Sequence, residues 1–328
     1  MAMTPSQDQT ESPLCAVCGG PMALRFTAPC DYRRPCGSAS YTAYWCAACD
    51  YGCIWPRPAE SDIAAFYDVD YYTHETGASE TKAAAVSFVD KLRVHLAWRF
   101  DKGSELDPAA VRGLVNETRP SMCEIGCGNG SDLASFQKAG FSVIGVEPDP
   151  AARSAAAKTV GLAYDGSAEK LPDALKGLRF DVVLMSHVLE HCLDVNLALA
   201  NVHSLLKDGG QFIVETPNCG ALGFCRYLEA WPWTDVPRHL NFFTTASLQT
   251  LCRKHGFNVL DTSYRGYCRQ FFNDWLQEEA RIWHAFHPQE PVASMPGFSR
   301  RAWRFLFDTF LAPPEKKYDS VRVMAGVG

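Results

Sequence analysis

Long apolar runs are missing from this chain. Across its 328 residues no stretch approaches the roughly 20 consecutive apolar residues that a bilayer-spanning helix needs. The opening "MAMTPSQDQTES" also lacks the basic start and apolar core of a secretory leader. Residues 1–12 are therefore expected to form a disordered N-terminus, and the protein to be soluble and cytoplasmic. Surplus basic charge is missing too: Lys and Arg number 31 against 37 Asp and Glu, for a net charge of −6. Such a chain has no general attraction to a phosphate backbone, which counts against nucleic acid as a partner. A small-molecule substrate fits better, and oligomeric state stays open.

Cysteine, by contrast, is plentiful. Fourteen would mean disulfides in an oxidising compartment; in a reducing one they mean metal ligands and buried thiols. Seven of them lie between positions 15 and 53, and four form the pairs "CAVC" (Cys15, Cys18) and "CAAC" (Cys46, Cys49). Each CxxC knuckle aims two thiolates at one tetrahedral ion. Two knuckles fill the sphere of a structural Zn2+ and leave no open position for chemistry. The 27 residues between the pairs exceed the usual ribbon spacing, so Cys30, Cys36 and Cys53 remain alternative ligands. With the strand-like "SYTAYW" between the pairs, residues 13–58 read as a zinc-ribbon-like module.

Residues 59–118 read as a helical linker. Val86, Val89, Leu92 and Leu96 recur at helical spacing, and Asp107-Pro108 supplies an N-cap with proline in the first turn. From Pro120, short apolar runs alternate with helical segments, the pattern of a parallel sheet flanked by helices. "SMCEI", "SVIGVE", "FDVVLMS" and "QFIVETP" read as strands. "SDLASFQKAG", the alanine-rich segment after Asp149-Pro150, and "DVNLALANVHSLLKDGG" read as helices.

Between the first of these strands and its helix stands "EIGCGNG". Its glycines, Gly126, Gly128 and Gly130, miss the dinucleotide fingerprint GxGxxG, which needs glycine where Ser131 stands. Glu124 puts a carboxylate beside the bend, where a pyrophosphate would be repelled and a cation favoured. Cys123 and Cys127 need no metal here and read as small buried hydrophobes.

"EIGCGNG" resembles motif I of the class I S-adenosylmethionine-dependent methyltransferases, and "SHVLEHCLD" after the fourth strand resembles the corresponding segment of their ubiquinone-biosynthesis-type small-molecule branch. The resemblance runs from about Pro120 to Asp261. It implies an α/β fold with a Rossmann-like seven-stranded sheet of order 3-2-1-4-5-7-6, closed by "YDSVRVMAGV" as an antiparallel strand. By the same resemblance, Glu124, Gly126, Gly128 and Gly130 hold the amino acid part of S-adenosyl-L-methionine. Glu147 and Pro148 meet the ribose, Ser167 and Ala168 border the adenine, and Ser186 and His187 of "SHVLEHCLD" lie beside the methionine part. The family's usual aspartate at the adenine is Ser167 here.

"HVLEH" also fits HxxEH, a zinc-binding pair of histidines with a glutamate base, but it leaves an apolar strand rather than lying on a helix. Glu190 and His191 are therefore expected to anchor the loop. Residues 119–328 make up the cofactor domain, with a lid at 217–245 and a helical insertion at 266–317. Within the lid, "PRHLNFFT" resembles a segment of small-molecule members of this branch and nominates His239 as general base. By the same resemblance the linker, 59–118, covers the cofactor mouth, and Arg238 is expected at the substrate together with Tyr72 and His74.

The resulting expectation is methyl transfer to a small-molecule oxygen. The alternatives are a deoxysugar C-methyltransferase, which resembles this chain in placing a zinc module before the same core, a zinc-ribbon RNA methyltransferase, and a non-enzymatic cofactor-binding partner.

Overall fold

The computed structural model describes residues 12–35, 39–67 and 87–328. Most of the N-terminus, Cys36, Tyr72 and His74 lie outside that set.

The chain opens on three antiparallel strands, β1 (Ala23–Ala28), β2 (Tyr41–Cys46) and β3 (Tyr51–Ile54). Both CxxC pairs sit in tight turns, closed by Gly19 N–H donating to the Cys15 carbonyl and Asp50 N–H to that of Cys46, each at 2.8 Å. Three helices follow: α1 (Glu60–Tyr67), α2 (Phe88–Phe100) and α3 (Pro108–Leu114). Asp107 caps α3 through the N–H of Ala109, as the Asp-Pro pair predicts. The stripe read into α2 faces the core only in part: Leu96 packs against it, and Val86 lies outside the described residues. Val89 and Leu92 are exposed, and the buried face carries Arg93 and Ala97. Arg93 is accommodated because it donates to the Phe271 carbonyl and to Asp90.

The main sheet begins with β4 (Ser121–Ile125), α4 (Ser131–Lys138), β5 (Ser142–Val146), α5 (Pro150–Val160) and β6 (Ala163–Tyr164). It continues through β7 (Phe180–Ser186), α6 (Val195–Ser204) and β8 (Leu206–Pro217). The last helix is shorter than its apolar pattern predicts. Leu206 leaves it to pair with Phe180, so "LKDGG" starts a strand instead of ending a helix. After the lid helix α7 (Leu222–Tyr227) and the short strand β9 (Asn241–Phe243) come α8 (Thr245–Lys254) and β10 (Phe257–Arg265). The insertion carries α9 (Asn273–Phe286), α10 (Phe298–Thr309) and α11 (Pro314–Lys317), and β11 (Ser320–Val327) ends the chain.

The seven strands run in the order β10-β11-β8-β7-β4-β5-β6, with β11 antiparallel to both neighbours. Counting from β4 as the first, that is the expected 3-2-1-4-5-7-6 arrangement. The catalytic end of such a sheet lies at the carboxyl ends of its parallel strands.

The lid holds a feature that periodicity alone does not disclose. Its strand β9 pairs antiparallel with β3, so it completes the four-stranded sheet of the cysteine module. Arg238, just before β9, secures the junction from within. Its guanidinium donates to Asp31 of the module at 2.8 and 3.0 Å and to Asp235 of the lid at 2.8 and 2.9 Å. Its side chain is fully covered and spent on these two carboxylates, which differs from the substrate-facing placement expected for it. A charge that far from water is tolerable only because two carboxylates meet it. Truncation as Arg238→Leu should cost about 3 kcal/mol or more in urea unfolding; a loss below about 1 kcal/mol would show that the junction does not depend on it.

Candidate active site

The glycine turn follows β4 at the centre of the sheet. Glu124 points out of that strand toward the start of α4, where it accepts the N–H of Leu133. It is buried, and its Oε2 has no hydrogen-bond partner. Burial first, then the charges of Asp132 and Glu147, push its pKa well above the usual carboxylate range. An orphaned acid among acids is a place that a cation would relieve. Gly128 adopts a left-handed φ of 52°, and a Cβ there would enter open space, so the backbone is bare toward the pocket. Gly130 is needed for a different reason, since a Cβ on it would come within 3.1 Å of the Ala156 backbone, where α4 and α5 cross.

Glu147 stands at the end of β5, where its carboxylate accepts N–H bonds from Gly128 and Asp149, both at 2.9 Å. Burial raises its pKa despite these donors. Pro148 is exposed beside it, and its carbonyl accepts from Arg153 at 2.9 Å. Ser167 closes a turn, its Oγ accepting the Lys170 N–H at 3.1 Å, while buried Ala168 presents its carbonyl to Asn201 at 2.9 Å.

Ser186 ends β7, and His187 follows it with a left-handed φ of 54°, a conformation uncommon outside glycine. Both His187 ring nitrogens face carboxylates: Nδ1 meets Glu190 and Nε2 meets Glu215, each at 3.2 Å. Burial disfavours a charged ring, yet the hydrogen bonds and charges of the two acids outweigh it and raise the His187 pKa to about 9. Glu215 also accepts from Arg265 and from Arg322, the latter at 2.8 Å, and is held below the ordinary range even though burial opposes this.

His239 is buried in the lid and donates from Nδ1 to the Trp233 carbonyl at 2.7 Å, which leaves its lone pair on Nε2. Burial, reinforced by nearby His191, pushes its pKa down to about 4. Trp233 lies nearly parallel to His187 and to His239, with ring centroids 5.2 and 6.4 Å away. Glu190, His191 and His239 each bring a ligand atom within 4.8 Å of the others. The HxxEH reading is not realised: residues 189–191 form a 3-10 turn, and the His187 ring is taken up by Glu190 and Glu215.

The four predicted cysteines converge, with their sulfurs within 4.8 Å of one another. Bonds of about 2.3 Å make a zinc tetrahedron with edges near 3.8 Å, and the Cys18 and Cys46 sulfurs stand 3.7 Å apart. The thiol donor set therefore fits zinc. Cys53 approaches the Met22 sulfur and Cys30 the Ala285 carbonyl, both away from this cluster.

Residues 99–262, half of the chain, match the model of a family described as a methyltransferase domain. The chain belongs to this methyltransferase family. It is 32% identical over 150 residues to a ubiquinone biosynthesis O-methyltransferase of Azorhizobium caulinodans, a match covering 42% of this chain and 58% of that protein. A namesake from Cereibacter sphaeroides is 31% identical over 185 residues, 53% of this chain and 71% of that protein. The chain spans 58 to 66% of the length of the first three curated relatives. A crystal structure of a SAM-dependent methyltransferase from Archaeoglobus fulgidus covers 67% of this chain and 94% of its own, at 16% identity and a TM-score of 0.44. That likeness is too slight to carry weight.

Within this methyltransferase domain, periodicity and motif reading passed over Asp132, Trp233, and Glu215 with its two arginines. Asp132, in the first turn of α4, interacts across the mouth with Arg265, Glu215, Arg322 and His187. Glu215 had a visible signal, a lone charge in the apolar run "QFIVETP". Asn241 in β9 had none. It accepts from Tyr51 and Arg57 at 2.6 Å and donates to the carbonyls of Leu189, Glu190 and Cys192, so it ties the cysteine module to the loop after β7.

Two outcomes follow from this geometry. A cation seated at Glu124 favours its ionised form, so S-adenosylmethionine binding should release a proton and tighten as pH rises; Glu124→Gln should weaken binding about 10-fold or more and abolish that release, read by calorimetry in buffers of different ionisation heat. Zinc supplied to the four thiolates should slow amide exchange at 241–243, where β9 rests on β3, and a chelator should reverse this; unchanged protection there would separate the thiolate cluster from the lid.

Proposed function

We propose that this protein transfers a methyl group from S-adenosyl-L-methionine to an oxygen of a small molecule. The observation that carries this reading is the buried, orphaned oxygen of Glu124 beside the open backbone of Gly128. Membership of the methyltransferase family and the printed names of the ubiquinone-biosynthesis relatives support it. In this reading Glu124 and the turn through Gly126 and Gly130 hold the amino acid end, Glu147 and Pro148 the ribose, Ser167 and Ala168 the adenine edge, and Ser186 and His187 the methionine part. S-adenosylmethionine, when bound, supplies an electrophilic methyl group on a sulfonium and leaves as the neutral thioether.

His239 is the proton acceptor we assign to the substrate hydroxyl. Its Nδ1 is committed to Trp233, its Nε2 carries the lone pair, and its depressed pKa keeps the ring neutral through the physiological range. The Trp233 indole lies nearly parallel to the rings of both His187 and His239, so in this reading it lines the space beside the base. The acidic balance of the chain, with a net charge of −6, disfavours an RNA acceptor.

Formation of S-adenosylhomocysteine from S-adenosylmethionine with hydroxylated aromatic or sugar acceptors tests the reading, and calorimetry without cofactor binding would overturn it. With an active acceptor, His239→Ala should lower kcat about 100-fold or more without weakening cofactor binding. The acid limb of kcat due to this ring should fall near pH 4 instead of near the ordinary imidazole value of about 6.5; unaltered turnover in the variant would remove His239 as the base.

A further inference from the structure

We propose that Glu190, His191 and His239 form a second metal site, distinct from the four-cysteine cluster, that takes a divalent transition-metal ion of the zinc type. One ligand atom from each residue lies within 4.8 Å of the other two. Modest side-chain rotation closes that triangle onto an ion with bonds of about 2.0–2.2 Å.

The two imidazoles are already prepared as ligands. The His239 Nδ1 donates to the Trp233 carbonyl at 2.7 Å, and the His191 Nδ1 donates to the Arg238 carbonyl at 3.0 Å, with the Tyr67 hydroxyl oxygen 2.9 Å from the same nitrogen. A ring whose Nδ1 proton is given to a carbonyl keeps its lone pair on Nε2, the arrangement in which metal-bound histidines are held by their outer partners. Both carbonyls come from one short stretch of the lid, so the lid sets both tautomers together.

Glu190 supplies the anionic ligand. Its Oε1 faces the Nδ1 of His187 at 3.2 Å, but its Oε2 is buried with no partner at all. A carboxylate oxygen left bare in the interior costs folding free energy, and a metal cation held between it and two imidazole nitrogens offsets that cost. Glu190 and His239 are also nearly inaccessible, at 1% and 2% exposure, so an ion there would face little competition from water.

Three protein ligands leave one position of a tetrahedral ion open. If the methyl-transfer reading holds, that position suits a hydroxyl oxygen of the acceptor; this clause rests on that reading, whereas metal binding does not. An ion and a proton on His239 Nε2 exclude each other, so metal content decides which way the ring is used.

The test is titration of the intact chain, its four thiolates first saturated with added Zn2+, with Co2+ as the probe. Metal analysis and native mass spectrometry should find one additional ion per chain, accompanied by weak visible bands of nitrogen and oxygen ligation without sulfur charge transfer. His191→Gln and His239→Gln should each weaken that second ion about 100-fold or more, while the zinc on the cysteines, retained in both, reports that the fold is intact. Wild-type protein that takes up no ion beyond the thiolate-bound one, or variants that keep the second ion at full strength, would overturn the site. Because the wild-type count decides even if a variant fails to fold, and because no turnover is measured, failure here and failure of methyl transfer are told apart.

Discussion

A guanidinium with no exposed surface has to be met by carboxylates, and in this protein they come from two distant parts of the chain. Arg238 binds Asp31 from the cysteine module and Asp235 from the lid. Around that contact, β9 adds itself to β3, and Asn241 passes the connection on to the carbonyls of Leu189, Glu190 and Cys192. The lid is thereby a braced wall. Its histidine and its tryptophan sit in a segment joined to a module some 200 residues earlier in the chain, in which four cysteine sulfurs converge.

Electrostatics divides the mouth of the sheet into two regions. On the β4 and β5 side, Glu124 and Glu147 are buried carboxylates whose pKa values are raised, so that region has unspent negative potential for a cationic ligand. On the β7 and β8 side, His187, Arg265 and Arg322 surround Glu215 and consume its charge internally. Within that second region His187 ties the loop after β7 to β8, since its backbone has a left-handed φ and its ring spans Glu190 and Glu215. A fixed imidazolium is well suited to shaping a pocket and poorly suited to accepting a proton, which is why the lid histidine, kept neutral by burial, takes that role in the proposal.

What could be read from the sequence followed the range of the forces involved. Local signals were legible: Asp149 before Pro150 and Gly161 after Val160 bracket α5, and the strand order of the main sheet agrees with the motif resemblance. Signals that depend on distant partners were not. Nothing near Arg238 reveals Asp31, so a cation beside a candidate base was read as facing substrate. The pattern in α2 misled in the opposite direction, because an arginine can be buried when a carbonyl from residue 271 accepts its protons. Glu190 was read as a satisfied anchor from its place in "HVLEH", whereas one of its oxygens lacks any partner.

The shared sheet of β1, β2, β3 and β9 carries a consequence for how such a protein can change over evolutionary time or in the laboratory. Since the fourth strand is encoded far from the other three, neither piece can be exchanged with a related protein by itself without exposing a raw edge. Recombination would leave the sheet whole only when both segments travel as a cassette, which ties the inheritance of 217–245 to that of the cysteine-rich module.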